Sequence, residues 1–365
     1  MRLPARARTT TTLTSGLLTA ALLSACTLTG GGGDEAAPAS DPTGSAGRPT
    51  GEVVLVTHES FALPEELVAD FEAESGLQLT QRASGDAGTL TNRLVLTKDS
   101  PTGDLAFGVD NTFASRALEE GVFAESSVAL PPGAEAYALE EGGDRLLPVD
   151  NGNVCVNVDT AWFEREGLEP PQTLDDLVDP RYRDLLVTPG APTSSPGLAF
   201  LLSTVAEYGD DWPDYWRDLV DNGAEVVPGW SDAYYVDFTA GGGDGARPIV
   251  VSYDSSPAFT LDGRGGTTTA ALLDTCFLQV EYAGVLEGAD NPAGAEVVLE
   301  WLLSPEVQAA LPESMYVFPV RDDVELPADW ARFAERPETP YEVDPAEVAE
   351  NRDDWLRTWT DVVTG

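Results

Sequence analysis

From Gly51 onward, short apolar runs alternate with stretches whose apolar residues recur at helical spacing. Glu52-Val-Val-Leu-Val-Thr57 predicts a strand. A helix then opens near Pro64, with Leu63, Leu67, Val68 and Phe71 on one face and Gly76 as its stop. Leu77 to Ala83 predicts a second strand, followed by a helix around Leu90 to Leu96, the strand Asp104 to Val109, and a helix capped by Asn111 that ends at Gly121. This βαβαβα order implies parallel strands with helices on both faces.

A second series begins near Asn153, with a strand through Cys155, a helix Thr173 to Val178 whose Asp176 completes a capping box, and the strand Leu185 to Val187. A long helix Pro196 to Tyr208 stopped by Gly209 follows, then a helix through Trp216, the strand Ala224 to Val227, a helix opening at Ser231, and the strand Pro248 to Ser252. Three C-terminal helices are expected at Ala293 to Leu303, Pro305 to Leu311 and Pro345 to Val363, the last two opened by Ser-Pro and Asp-Pro pairs. No internal repeat is visible.

The N-terminus has a different pattern. Arg2, Arg6 and Arg8 precede the apolar run Leu13 to Leu23, which closes on Leu23-Ser24-Ala25-Cys26. Small residues ahead of a cysteine suit a signal peptidase, so residues 1–25 read as a lipoprotein signal peptide and Cys26 as the lipidated N-terminus of the mature protein. Residues 26–50, rich in Gly, Ser, Thr, Pro and Ala, bury too little apolar surface to fold and read as a disordered tether. The expected place is extracytoplasmic, anchored to the cell membrane by lipid alone, because no later run approaches the roughly 20 apolar residues a spanning helix needs.

The roughly 315 residues after the tether exceed what one core usually organises, so two lobes are expected. The formal charge of −43 repels nucleic acid and anionic headgroups and attracts cations, besides serving solubility. Beyond Cys26 the cysteines are Cys155 and Cys276, both in apolar strand-like runs, either disulfide-bonded to each other or two buried thiols. A single histidine and no Cys-x-x-Cys spacing argue against a zinc site.

In open α/β sheets ligands bind at the carboxyl ends of the strands. The loops expected there carry His58-Glu59-Ser60-Phe61, Asp86 and Ala87, Asp110-Asn111, Asp150-Asn151, Thr193-Ser-Ser-Pro-Gly197, Trp230 with Tyr234-Tyr235, and Ser252-Tyr-Asp-Ser-Ser-Pro257. Ser194 and Ser195 stand ahead of Pro196 at a helix start, where free N–H groups and the positive dipole end suit a hydroxyl, carboxylate or phosphate; simple capping is a compatible alternative. Trp230 and Tyr253 suggest two walls of a slot for a planar cation, with Asp86, Asp254 or Glu59 nearby, unless Trp230 packs under its own helix. Tyr234-Tyr235 raises iron ligation, but neighbours on a helix point about 100° apart. Catalysis finds little support: Ser60, Ser194 and Ser256 lack a Gly-x-Ser-x-Gly elbow, and no phosphate-binding Gly-x-x-x-x-Gly-Lys is present.

With these loops in order, the chain resembles the thiamine-binding proteins of bacterial ABC importers over essentially all of Val53 to Val363. The motifs that carry the resemblance are Ser194-Ser-Pro-Gly-Leu198, Tyr208-Gly-Asp-Asp211, Gly229-Trp-Ser-Asp-Ala-Tyr234, Ser252-Tyr-Asp-Ser-Ser-Pro-Ala258, Leu278-Gln-Val-Glu281 and Phe318-Pro-Val320. The resemblance implies an α/β, two-lobe type II periplasmic-binding-protein fold, each lobe a mostly parallel sheet flanked by helices, with ligand in the inter-lobe cleft. One lobe is expected from residues 51–150 with about 278–320, the other from 151–277 with about 321–365 including the C-terminal helices. Hinges are expected near Asp150 to Val154 and Phe277 to Tyr282.

By this resemblance Asp86, Ala87, Ser194, Ser195, Trp230, Tyr253, Asp254, Ser255 and Ser256 contact the ligand, with His58, Glu59, Asp150 and Tyr234 as further candidates. The implied ligand is thiamine, a thiamine phosphate or a related cationic heterocycle, and the implied partner an ABC permease. No cofactor, metal or catalytic step is implied, and a monomer is expected. A ferric-ion or polyamine receptor of the same fold is the alternative, ahead of a cleft enzyme acting on a thiamine-like compound. The chain departs from the family at His58-Glu59-Ser60-Phe61, where Tyr-Asp-Ser-Phe is usual, and at Asp150-Asn151-Gly152-Asn153, where Asp-Tyr-Gly-Tyr is usual. Ala87 also stands at a position often held by Gly.

Overall fold

The computed structural model describes residues 48–365; the leader, Cys26 and the tether as far as residue 47 lie outside the described residues. Strand β1 (Gly51–Thr57) leads into α1 (Glu65–Ser75), β2 (Leu77–Ala83), α2 (Ala87–Leu96), β3 (Leu105–Asp110) and α3 (Ala114–Glu119). As the βαβαβα order requires, β1 pairs in parallel with both β2 and β3. The chain continues through β4 (Leu147–Asp159), α4 (Thr160–Glu166), β5 (Leu186–Pro189), α5 (Ser195–Tyr208), α6 (Trp212–Asp221), β6 (Glu225–Val227), β7 (Ile249–Tyr253) and β8 (Thr269–Val285). It closes with α7 (Pro292–Leu302), α8 (Pro305–Met315), β9 (Phe318–Pro319), α9 (Trp330–Phe333) and α10 (Pro345–Thr364).

Three local expectations need correction. Helix α4 was not foreseen; the Asp159 carboxylate starts it by accepting from Trp162 N at 2.8 Å. The Thr173 to Val178 helix is only a 3-10 turn at Asp175–Val178, although Thr173 and Asp176 do exchange the capping-box bonds. The helix expected at Ser231 is a π turn, Asp232–Asp237.

The strands form one hydrogen-bonded sheet in the order β2-β1-β3-β8-β4-β7-β5-β6, with β9 on β4. Its outer pairs are parallel, as expected. Its middle is antiparallel, because β4 and β8 run the opposite way to their neighbours and pair from Leu147↔Ala283 to Asp159↔Thr269. These two strands, 13 and 17 residues long, belong to both halves of the sheet. Periodicity does not expose them: every residue of β4 is buried, so no alternation marks its length. Cys155 of β4 is disulfide-bonded to Cys276 of β8, where the register between the strands shifts.

One hydrophobic cluster packs β1, β3, α7 and α8 around Leu55, Phe107, Val298 and Val307. A second surrounds α5, which is buried from Ser195 to Val205, and includes Phe200 and Trp216, and a small third holds Ala258, Phe318 and Trp330. Helix α10 adds Trp359 edge-on to Trp216 and reaches α3 through Asp353, 3.8 Å from Arg116. No helix among the described residues is long and apolar enough to cross a membrane.

Candidate functional site

Loops from the carboxyl ends of β1, β2, β3, β5, β6 and β7 converge where β4 and β8 cross from one half of the sheet to the other. Beyond β1, His58 is buried, with Nδ1 accepting from Ser60 N at 3.1 Å and the ring packed 5.4 Å from that of Phe107. Gly108, at φ 99°, permits this: a Cβ there would lie 2.2 Å from His58 Cδ2. Nε2 sits 3.4 Å from Glu281 Oε1 without a full hydrogen bond. Burial alone would lower the imidazole pKa, but Glu281, Asp86 and Glu59 together outweigh it and raise the pKa above 6.5. Glu59 is exposed at the rim; partial burial, Asp86 and Asp232 raise its pKa.

Asp86 caps α2 and joins two walls. Its Oδ1 accepts from Ala87 N at 2.6 Å and its Oδ2 from Trp230 N at 2.9 Å. Ala87 is buried as the first residue of that helix. The same walls meet again through Ser60 Oγ and Ser231 Oγ at 3.1 Å and through Thr89 N donating to Thr193 O at 3.2 Å. Gly88 allows the approach, since a Cβ there would come within 2.8 Å of Pro192 O.

Helix α5 begins at Ser195, one residue before the expected start, with Ser194 as a cap residue whose side chain makes no capping bond. Both hydroxyls are buried; Ser194 Oγ has no hydrogen-bond partner, and Ser195 Oγ faces Asp110 without full hydrogen-bond geometry. Simple capping is therefore not what these serines do, and an unmet buried hydroxyl costs about 1–3 kcal/mol. Beside Ser195 lies Asp110, whose Oδ1 accepts from Thr112 N, Thr112 Oγ1 and Phe113 N while Oδ2 has no donor. Burial pushes the Asp110 carboxyl up to about 6, against the Ser195 and Thr112 hydroxyls, which favour its charge.

Trp230 is buried, its indole N–H donating to Ser252 Oγ at 2.9 Å, and Ser252 Oγ lies 2.8 Å from Ser256 Oγ. The expected slot between Trp230 and Tyr253 is corrected by the structure: the rings meet at 63° with centroids 6.1 Å apart, so nothing flat lies between them as they stand. Trp230 instead stacks on Tyr234 at 5.0 Å and 18°, and meets Tyr235 and Tyr316 edge-on. The shared loop shortens the Trp230–Tyr234 distance because a π turn places residues four apart over one another. Tyr234 is buried with its hydroxyl unpartnered, whereas Tyr235 is exposed and perpendicular to it at 87°.

Beyond β7, the Tyr253 hydroxyl donates to Gln279 Oε1 at 3.4 Å, and its burial raises the phenol pKa well above 10. Asp254 accepts from Asn153 N at 3.2 Å and Asn153 Nδ2 at 2.7 Å; burial raises its pKa to about 6 against those bonds and Arg336. The Asn153 departure thus serves a carboxylate. Asn151 likewise donates to Pro319 O at 3.1 Å and accepts from Arg336. Ser255 Oγ donates to Tyr316 O, and Ser256 Oγ accepts from Tyr253 N at 3.3 Å.

Asp150 of β4 faces Glu281 of β8 across the ladder, and burial and that neighbour hold the Asp150 carboxyl well above the usual range. Sequence reasoning did not place Glu281 or Tyr316 at the site. Glu281 carried a signal, a lone acid inside the apolar strand Leu278 to Val285; Tyr316, at φ 64° just past α8, carried none.

The profile of the bacterial extracellular solute-binding protein family matches residues 100–337. The chain is 32% identical over 320 residues to the thiamine-binding periplasmic protein of Escherichia coli strain K12, covering 86% of this chain and 93% of that one. Among solved structures, a periplasmic thiamin binding protein superposes with a TM-score of 0.75 at 31% identity, over 86% of this chain and 96% of that one. Iron-bound HitA from Pseudomonas aeruginosa shares the fold, at a TM-score of 0.66 and 18% identity over 86% of this chain and 99% of that one.

Proposed function

Since this chain belongs to the bacterial extracellular solute-binding protein family and has an extracytoplasmic solute-binding role, we propose that its solute is thiamine or a thiamine phosphate. The observation that carries this reading is the meeting, at one buried junction, of an aromatic cluster around Trp230, a set of buried acids, and the unpartnered hydroxyls at the start of α5. A ring with a positive charge and a polar tail answers all three: aromatic faces attract cations by about 0.5–2 kcal/mol, and a helix N-terminus favours a hydroxyl or phosphate. The Ser194 and Ser195 hydroxyls take the tail, Trp230 and Tyr253 contact the rings, and Asp254, Ser255, Ser256, Asp86 and Ala87 complete the shell.

The ligand is taken up by parting of two lobes, residues 51–150 with 278–320 and residues 151–277 with 321–365, that bend where β4 and β8 cross. Parting breaks the Asp86–Trp230, Ser60–Ser231 and Thr89–Thr193 contacts, and with them Ser255–Tyr316, Arg116–Asp353 and Asp322–Pro132. It also frees Trp230 from the edge of Tyr316. Cys26 carries the lipid that keeps the receptor beside an ABC permease, which receives the ligand from the closed form; the receptor acts as a monomer and catalyses nothing. Calorimetric titration with thiamine, its monophosphate and diphosphate, spermidine and Fe(III) tests this. Tight binding of a thiamine compound alone is expected. Preference for spermidine or iron would transfer the protein to the polyamine or ferric class.

A further inference from the structure

Most of the polar groups at the junction find partners in neighbouring loops, but the Asp150–Glu281 pair does not. Asp150 is fully buried and neither of its oxygens receives a hydrogen bond. Its register partner across the antiparallel ladder is Glu281, itself 5% exposed. Cross-strand partners sit about 5 Å apart at Cβ, so the carboxyls meet. Two carboxyls in contact are satisfied only when one is protonated and donates to the other, since ionised oxygens accept and do not donate.

The surroundings fix the charge balance. From β1 comes His58, with Nε2 3.4 Å from Glu281 Oε1, and Glu59 and Asp86 also act on that imidazole. From β3 comes Asp110, and from β7 the phenol of Tyr253; both feel Glu281. Within β8, the neutral Gln279 takes the Tyr253 hydroxyl. His58 is thus the single cationic group among those facing Glu281.

We propose that the Asp150–Glu281 pair is the cation-selecting element of this site, holding one shared proton that leaves to solvent when a positively charged ligand binds. This rests on the reading of the site as a receptor for a cationic heterocycle. In the free protein the proton joins the two carboxyls, the second carboxyl is ionised, and protonated His58 balances it. A ligand cation placed in this buried setting leaves an uncompensated positive charge, which the site removes by letting the shared proton go. Asp150 and Glu281 are then both carboxylates, facing His58 and the ligand. No bond other than that O–H breaks. A neutral ligand of the same shape has no such exchange to drive, so the device discriminates by charge rather than outline.

The test is calorimetric titration of thiamine into the wild-type protein at neutral pH in buffers of low and high ionisation enthalpy, repeated for Asp150→Asn, Glu281→Gln and His58→Gln. Release approaching one proton per ligand is expected, so that below neutrality affinity rises with increasing pH by up to about tenfold per unit. Asp150→Asn and Glu281→Gln should each abolish the release, and Glu281→Gln should weaken binding by about tenfold or more. His58→Gln should keep the release. Wild-type binding whose heat is independent of buffer overturns the exchange while leaving the ligand reading intact. Loss of release in His58→Gln with release kept in Asp150→Asn also overturns it, by moving the proton to the imidazole. Absence of thiamine binding by the wild type removes the ligand reading and this inference together.

Discussion

Two helix starts face each other across the junction, and they are finished in opposite ways. Helix α2 is closed by its own residue: Asp86 takes Ala87 N with one oxygen and reaches across to Trp230 N with the other. Helix α5 is left open, with Ser194 making no capping bond and Ser195 unpartnered behind it. A helix end whose side chain is committed to its own backbone and to the opposite wall meets a solute with only its remaining acceptor capacity and its charge. One whose buried hydroxyls make no capping bond keeps capacity in reserve. The comparison shows α2 holding the walls together and supports the proposal that α5 meets the solute.

The largest effect expected from disturbing this contrast lies at Asp110, the carboxyl beside the open end of α5. A carboxyl whose pKa is about 6 in the fold and 3.8 in the unfolded chain binds its proton more tightly when folded. Its contribution to stability is therefore fullest below 3.8 and is lost as pH rises through about 6. Asp110→Asn keeps an acceptor for Thr112 and Phe113 and should stabilise the unliganded protein by up to roughly 3 kcal/mol at pH 7, the gain vanishing near pH 4. Thermal unfolding across that range checks it, and a constant difference at all pH values would contradict the sign.

Trp230 sits on the bridge that Asp86 makes. Trp230→Ala should weaken thiamine binding by about 2 kcal/mol or more, read by calorimetry, as for other stacked aromatic anchors; unchanged affinity would remove it from the site. Asp86→Ala strips two backbone N–H groups of their acceptor and should cost about 1–2 kcal/mol in urea unfolding. The smallest effect should come from Ser195→Ala, within about 0.5 kcal/mol of wild type in stability because no capping bond is lost. Its ligand affinity should nevertheless fall by about 1 kcal/mol. A Ser195→Ala variant as destabilised as Asp86→Ala would erase the distinction between the two helix starts.

Much of this was legible in the chain. Local patterns placed β1, β2, α1, α5 and α7 to within a residue or two, because each carries its own stop or its own face, as Gly76 and Gly209 do. Residue types at strand ends named the loops that meet, including both serines of α5. The slot was misjudged for a physical reason: a sequence identifies two aromatic residues but not the angle between their planes, and here Trp230 and Tyr253 stand at 63°. The π turn decided that angle by offering Tyr234 as the stacking partner.

What the sequence determined by itself is therefore whatever short-range chemistry controls: helix starts and stops, the parallel βαβ order, the acid excess and the family motifs. What only the tertiary structure decided is everything that needs two distant segments at once. β4, buried throughout, and β8, buried through its second half, show no periodicity, so their antiparallel crossing, the Cys155–Cys276 bond and the pairing of Asp150 with Glu281 appear only when residues more than a hundred positions apart are set in register. Register is a long-range property, and it alone brought these two acids together.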